Sequence, residues 1–265
     1  MTESKGAVLT EKQAQELERL QSLPSPTEKQ QQSLSDLIAK RDAPPKLSDT
    51  AISYLKEVYV YQKYGKEPVG GAERSKYVLK GRAVEDESIM MLSRIDNADY
   101  VKNTERFTND YITGEPDVII SNDGKAVKII DIKSSYDFAT LLSNIGFPLN
   151  SNYYAQMQGY MALTGATEAE VDYCLVNMPQ EIIEGEKRRI FYAINPATEE
   201  DPYYKKQIER IEWNMTFDEI EISQRVLRFS VPRNEEYIQR VYAKIVECRK
   251  WLQEFDAMYS NLNKS

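Results

Sequence analysis

Histidine is absent from the 265 residues, and cysteine occurs twice, at Cys174 and Cys248. Without histidine, Ser-His-Asp and Cys-His catalysis, imidazole metal ligation and hydrolases with a histidine base are all excluded. Two cysteines, in segments that read as a strand and a helix, cannot supply a four-cysteine iron–sulfur or structural zinc site, and they point to a reducing compartment. No window approaches the roughly 18 consecutive apolar residues that a membrane helix needs. Met1 to Gln15 is polar and lacks the apolar stretch of a signal peptide. The expectation is a cytoplasmic protein with no membrane partner. An excess of positive charge is missing too: 42 Asp and Glu face 34 Lys and Arg, for a formal charge of −8. A protein that coats nucleic acid is usually basic. An enzyme holding divalent cations on clustered carboxylates need not be, because bound cations reverse the field that phosphates meet.

With 41% hydrophobic and 29% charged residues, the chain is globular with a wet surface. Residues 1–48 read as a polar, mobile or loosely docked helical arm. Lys12–Leu20 and Gln30–Ile38 are helix-compatible, but Leu23-Pro24-Ser25-Pro26 and Ala43-Pro44-Pro45 interrupt them. Residues 49–265 read as one domain, starting with a helix over Thr50–Tyr61 capped by Ser48-Asp49. A second helix is expected from about Ser75 through Leu92. Extended segments follow at Arg106–Asn109, Asp117–Ser121 and Ala126–Lys133, the last two joined by the turn Ser121-Asn122-Asp123-Gly124. Then come a helix at Asn152–Thr164, a strand at Val171–Met178, an irregular stretch to about Asp201 and a helix near Lys205–Ile211. A strand at Arg225–Val231 and a long helix at Asn234–Leu262 complete the chain. This order predicts an α/β fold with a central mixed sheet flanked by helices.

Chemistry concentrates on the predicted hairpin. Pro116-Asp117 opens one arm, and Asp131-Ile132-Lys133 lies on the other. Asp131 and Lys133, two apart on a strand, share a face, and the hairpin returns Asp117 beside Asp131. Carboxylates so close repel unless a cation joins them, and Mg²⁺ or Mn²⁺ suits such oxygen donors. A neighbouring lysine can position a water and stabilise charge on a phosphate. The alternatives are a solvated surface hairpin or a plain Asp–Lys ion pair. Ile129, Ile130 and Ile132 mark the strand as buried, and buried charge needs a partner. Upstream, Gly81-Arg82-Ala83-Val84-Glu85 can bring Glu85 to the strand acids, although Glu85-Asp86-Glu87 could equally be a solvated helix face. Downstream, Gln156 and Tyr160 stand one turn apart in Tyr154-Ala155-Gln156-Met157-Gln158-Gly159-Tyr160-Met161, with Met157 and Met161 expected in the core. Lys102, Arg106, Lys125 and Lys128 near the hairpin are candidate phosphate contacts, as are Ser134 and Ser135 directly after it. Arg225, Arg228 and Arg233 mark a second candidate groove. Tyr237, Val241, Ile245 and Leu252 give the last helix a packing face.

Together these motifs resemble the PD-(D/E)XK nuclease superfamily. Gly81-x-x-x-Glu85 and Gln156-x-x-x-Tyr160 resemble its RecB-like and lambda-type (YqaJ-like) phage exonuclease branch, over roughly residues 80–177. The resemblance implies a restriction-endonuclease-like core and phosphodiester hydrolysis leaving a 5′-phosphate and a 3′-hydroxyl. By that resemblance Asp117, Asp131 and the Ile132 carbonyl hold the metal, and Glu85 binds or supports a second one. Lys133 orients and helps deprotonate the water, while Gln156 and Tyr160 position Lys133 or contact DNA. Asp131 stands where lambda-type exonucleases carry glutamate, and Glu85 where RecB-type helices often carry histidine. The cysteine cluster of AddB-type relatives is missing, so no iron–sulfur cluster is implied. DNA is the implied partner, with a single-strand-annealing recombinase as a second, and the rings of lambda-type relatives leave an oligomer open. The rival functions are a structure-specific or single-strand endonuclease, a nuclease acting on RNA, and a catalytically silent DNA-binding or assembly module.

Overall fold

The computed structural model describes residues 9, 11–42, 47–67 and 76–262. The expected break at Ala43-Pro44-Pro45 and the expected helix start at Ser75 lie outside the described residues. The chain divides into two compact units, Met1–Pro68 with Cys248–Ser265, and Val69–Glu247.

The first unit holds α1 (Glu11–Gln21), α2 (Glu28–Asp42), α3 (Asp49–Tyr64) and the last turns of α10 (Glu235–Leu262). The Pro24-Ser25-Pro26 segment separates α1 from α2, as the sequence predicts. Leu17 and Leu20 are buried on α1, and Lys40 Nζ donates to Gln13 Oε1 at 3.0 Å. Ser48 caps α3 by accepting the Ala51 N–H, which supplies one of the helix's unpaired first-turn donors with a partner. The boundary expected after residue 48 lies within this unit. The unit also takes in α3, because Tyr59 packs edge-on against Phe255, 5.1 Å between ring centres, and Phe255 stacks on Trp251.

The second unit is built on a four-stranded sheet with strand order β3 (Val118–Asn122), β4 (Lys125–Ser134), β5 (Glu168–Cys174), β6 (Val226–Pro232). β4 and β5 run parallel and the other pairs antiparallel, so the sheet is mixed, as expected. The β3–β4 turn places Asp123 at φ 50° and Gly124 at φ 74°, the pair of left-handed residues that tight hairpins demand. A small separate hairpin, β1 (Phe107–Thr108) with β2 (Thr113–Gly114), precedes them. Strand alternation assigns the two sheet faces. Ile129, Val171, Tyr173 and Val231 join Met157 and Met161 of α7 (Ser151–Thr164) in one core cluster. Ile130, Ile132, Val118 and Cys174 join Ile89, Met91 and Leu92 of α5 (Glu85–Asp96) in the other.

Three expectations change. The single helix over 75–92 is two, α4 (Lys76–Ala83) and α5. The break is at Val84, which is buried and sits at φ −114°, ψ 11°. The acidic run Glu85-Asp86-Glu87 thereby becomes the first turn of α5, where the helix dipole favours negative charge. The stretch expected to be irregular forms α8 (Gln180–Ile194), paired with α9 (Pro202–Met215). Phe191 meets Tyr204 edge-on at 5.5 Å, and Lys187 bridges Glu184 and Glu212, so partners outside the segment stabilise a sequence interrupted by Gly185. A short α6 (Phe138–Leu142), capped by the Asp137 carboxylate, was not anticipated. No helix among the described residues is long and apolar enough to cross a membrane.

Candidate active site

Asp117 stands one residue before Val118, which pairs with Ile130 across the hairpin. It is held there from behind, since Asn103 donates its backbone N–H to the Asp117 carbonyl at 2.7 Å and its side-chain amide to the Pro116 carbonyl at 2.9 Å. The Asp117 carboxylate reaches across to β4 and accepts the Ile132 N–H at 2.6 Å. Asp131 is 1% exposed. Lys133, on the same face, brings Nζ to 2.5 Å from Asp131 Oδ2, donates to Gln156 Oε1 at 3.3 Å and lies 4.8 Å from the centre of the Tyr153 ring. Gln156 in turn donates to the Tyr160 hydroxyl at 2.8 Å. Asp131, Lys133, Gln156 and Tyr160 thus form one continuous polar chain from the sheet to α7.

Burial dominates the electrostatics. It pushes the Asp117 carboxyl up to about 7, with the Asp131 charge adding to the rise and the Ile132 N–H and Lys133 opposing it. Asp131 also lies above the ordinary carboxylate range, because burial and Glu85 outweigh the Lys133 ammonium. Burial disfavours the charge on Lys133, but the two neighbouring aspartates more than restore it, so the ammonium is held. A single lysine therefore serves two acids that both resist ionising alone, and this is a place where additional positive charge is favoured. Asp131 Oδ2 is buried with no well-oriented hydrogen bond.

The remaining predicted residues divide. Glu85 starts α5 and pairs with Lys102 at 3.2 Å, on the rim of the same site. Arg106 pairs with Glu115 at 3.0 Å. Ser134 lines the site, whereas Ser135 is buried, its N–H bonded to the Cys174 carbonyl. Lys128 faces the opposite side of the sheet, 3.1 Å from Glu170. The suggested groove of Arg225, Arg228 and Arg233 does not form. Arg225 pairs with Asp218, Arg228 with Asp96, and Arg233 with Glu235 and the carbonyls of Met161 and Ala166.

Two cavities meet at the acids. The larger, about 1030 Å³, runs along Lys102, Arg106, the β1–β2 hairpin at Ile112–Gly114, Leu163 and Val241. The smaller, about 400 Å³, is lined by Val78, Gly81, Ser134, Tyr153 and Asp131. Arg82, Glu85, Asp117, Lys133 and Gln156 line both. Gly114 is needed at its place, since a Cβ there would stand 2.6 Å from Tyr160 Cε1. Arg82, Asn103 and Tyr153 also line these cavities, with no sequence signal that singles them out. Arg82 lies inside the Gly81–Glu85 motif as a spacer, and nothing local marks the other two.

Two carboxylates, the Ile132 carbonyl and Glu85 are oxygen donors of the kind a hard divalent cation takes. Among the described residues no three acidic or sulfur ligands gather around one point, and Lys133 and Lys102 are the counter-charges of Asp131 and Glu85. The donor chemistry, with a buried Asp131 oxygen met only by the Lys133 ammonium, fits such an ion.

No family model and no curated protein matches the sequence. Solved structures do. A phage-related exonuclease from Haemophilus somnus 129PT superposes with a TM-score of 0.60 at 21% identity, covering 92% of this chain and 95% of the other. An alkaline exonuclease from Laribacter hongkongensis gives a TM-score of 0.55 at 13% identity, covering 83% and 89%. The chain has the fold of the phage-related and alkaline exonucleases, with its buried acids and lysine gathered where two cavities join.

Proposed function

We propose that the protein is a divalent-metal-dependent DNA exonuclease of phage recombination or replication type, using Mg²⁺ or Mn²⁺. The observation that carries this reading is the buried Asp117–Asp131–Lys133 cluster opening onto two confluent cavities. Asp117, Asp131 and the Ile132 carbonyl would hold the cation, with Glu85 supporting a second. A bound cation supplies Lewis-acid stabilisation of the phosphate and lowers the pKa of a water.

The chain's own residues do the rest. The Lys133 ammonium, kept charged by two aspartates, orients a water beside the scissile phosphorus and stabilises the hydroxide it becomes. Gln156 fixes the lysine's position, and Tyr160 fixes Gln156, so the nucleophile is aligned by a chain of hydrogen bonds rather than by a mobile side chain. Lys102 and Arg106 along the larger cavity supply positive charge for backbone phosphates. Water gives a proton to solvent as its oxygen bonds to phosphorus, the P–O3′ bond breaks, the 3′-oxygen takes a proton from solvent, and the products are a 5′-phosphate and a 3′-hydroxyl. A single-strand-annealing recombinase, taken from the resemblance, is the proposed partner beyond DNA.

The test uses end-labelled linear duplex and closed circular DNA, with Mg²⁺ or EDTA, beside Asp131→Ala. Mg²⁺-dependent loss of the linear substrate alone, absent in the variant, is the expected result. Digestion of the circle would turn the reading to an endonuclease, and no cleavage with either metal would turn it to a silent binding module.

A further inference from the structure

Resting on that exonuclease reading, we propose that Tyr153 is a positioning residue whose ring face holds the Lys133 ammonium where the attacking water is oriented. Lys133 Nζ meets three groups: Asp131 Oδ2 at 2.5 Å, Gln156 Oε1 at 3.3 Å and the Tyr153 ring, 4.8 Å from its centre. The Asp131 contact is the shortest, yet Asp131 is also the carboxylate that a divalent cation would share. Two positive charges on one carboxylate repel each other, which loosens the hold of Asp131 on the lysine. The Gln156 contact is long for a hydrogen bond. The electron-rich face of an aromatic ring attracts an ammonium without an acceptor atom to aim at. Lys133 can therefore keep its place while turning its N–H donors toward water and phosphate.

The fold sets the ring beside the ammonium. Tyr153 precedes Gln156 by three residues on α7, so ring and amide leave one helix face. Lys133 and Tyr173 are partners in the parallel β4–β5 register, and the Tyr153 ring rests edge-on against Tyr173, 6.2 Å between centres. Tyr173 is backed by Phe229 at 5.7 Å, so the ring is braced from the core. Lys80 also lies near a ring, 5.5 Å from the centre of Phe217, but it is fully buried and lines neither cavity. It donates to the carbonyls of Ser135 at 2.6 Å and Tyr136 at 3.1 Å, which makes it an anchor of α4 at the exit of β4. Tyr153 and Lys133 instead line the smaller cavity together with Asp131. The Lys133 side chain is only 22% exposed, which places its attraction to the ring toward the desolvated, stronger end of the range. Tyr153 exchanges no proton in the reaction; it acts through the lysine.

The experiment compares wild type, Tyr153→Phe, Tyr153→Leu and phenylalanines carrying one, two and three ring fluorines at the same position. Cleavage of end-labelled linear duplex with Mg²⁺ is followed, reading kcat and KM separately. Each fluorine drains charge from the ring face and leaves the ring's shape nearly unchanged. Tyr153→Phe should keep kcat within about twofold, and Tyr153→Leu should lower it about 20-fold with KM moved less than about threefold. The fluorinated rings should fall stepwise between those two, whereas a residue that only packs against Tyr173 would give them all the rate of Tyr153→Phe. This series decides by itself if Tyr153→Leu does not fold. Independently of cleavage, NMR of the metal-free protein with isotope-labelled lysine should show the Lys133 Cε signal, assigned by its loss in Lys133→Arg, shifted upfield by the ring. That shift should persist in Tyr153→Phe and vanish in Tyr153→Leu. Wild-type kcat in Tyr153→Leu, equal rates across the fluorinated rings, or an unshifted Lys133 signal would each overturn the assignment while leaving the exonuclease reading standing. A wild type that cleaves nothing would overturn that reading and this role with it.

Discussion

One sheet carries two buried clusters of acid and base, one on each face. Asp117, Asp131 and Lys133 face α7, and Glu170, Asp172 and Arg228 face α5. In both an aspartate is pushed up to about 7, Asp117 by burial and Asp131, Asp172 by burial and Glu170. Their surroundings differ. Arg228 is closed in by Asp96 at 2.9 Å, Glu170 also meets Lys128 at 3.1 Å, and the Tyr100 hydroxyl covers Asp96 at 3.0 Å. None of Glu170, Asp172 and Arg228 lines either cavity of the candidate site. Lys133 instead hands its contacts on to Gln156 and Tyr160 at the cavity wall. A displaced pKa therefore marks buried charge, and access to substrate is what separates a site from a structural network.

The sharpest way to break this comparison is to disable each cluster in turn. Asp131→Ala and Lys133→Ala should lower cleavage by more than about 10³-fold with circular dichroism unchanged, whereas Asp172→Asn should leave the rate per folded molecule as it is. Full activity in either of the first two would remove the site assignment. On the closed face, Arg228→Met leaves two buried carboxylates with Lys128 alone and should destabilise the fold by about 3–5 kcal/mol. Urea unfolding measures it, and an unchanged midpoint would show that the network contributes nothing.

Gly114→Ala forces the Tyr160 ring to move and should cost about 1–3 kcal/mol of stability. It should also slow cleavage by up to about tenfold through Gln156 and Lys133, and an unaltered rate would disconnect Tyr160 from the lysine. The smallest effect concerns pH. The folded-state pKa of Asp172 is near 7, raised from 3.8, so its contribution to stability is complete below 3.8 and is lost as pH rises through 7. Charged neighbours on every packed element enter that balance: Glu170 on its own strand, Arg228 on β6, Lys128 on β4 and Asp96 on α5. Asp172→Asn removes the dependence and should raise Tm relative to wild type at pH 8, with the difference shrinking toward pH 5. A constant difference across that range would mean that Asp172 does not titrate there.

Much of the site was legible because its signals are local. The Asp123-Gly124 turn sets the hairpin register, strand alternation puts Asp131 and Lys133 on one face, and helix periodicity puts Gln156 below Tyr160. The closed cluster was not legible. Glu170 and Asp172 look like ordinary strand residues until β6 brings Arg228 beside them, and of the arginines expected to form a groove Arg228 pairs with the distant Asp96 while Arg225 and Arg233 pair with the nearby Asp218 and Glu235. Helix α8 escaped because its partner α9 lies beyond the next turn, and the break at Val84 because propensity alone favours one helix from 76 to 96.

From its sequence alone the chain determined its α/β class, the hairpin that pairs Asp117 with Asp131, and the absence of any histidine chemistry. These follow from period, turn geometry and composition, which act over a few residues. Tertiary structure decided which charged residues meet water and which meet each other, where the Tyr153 ring lies, and why Lys80 is buried. Those outcomes depend on desolvation and on partners separated by tens of residues, as in Lys80 with Ser135 and Asp172 with Arg228, and no local pattern encodes them.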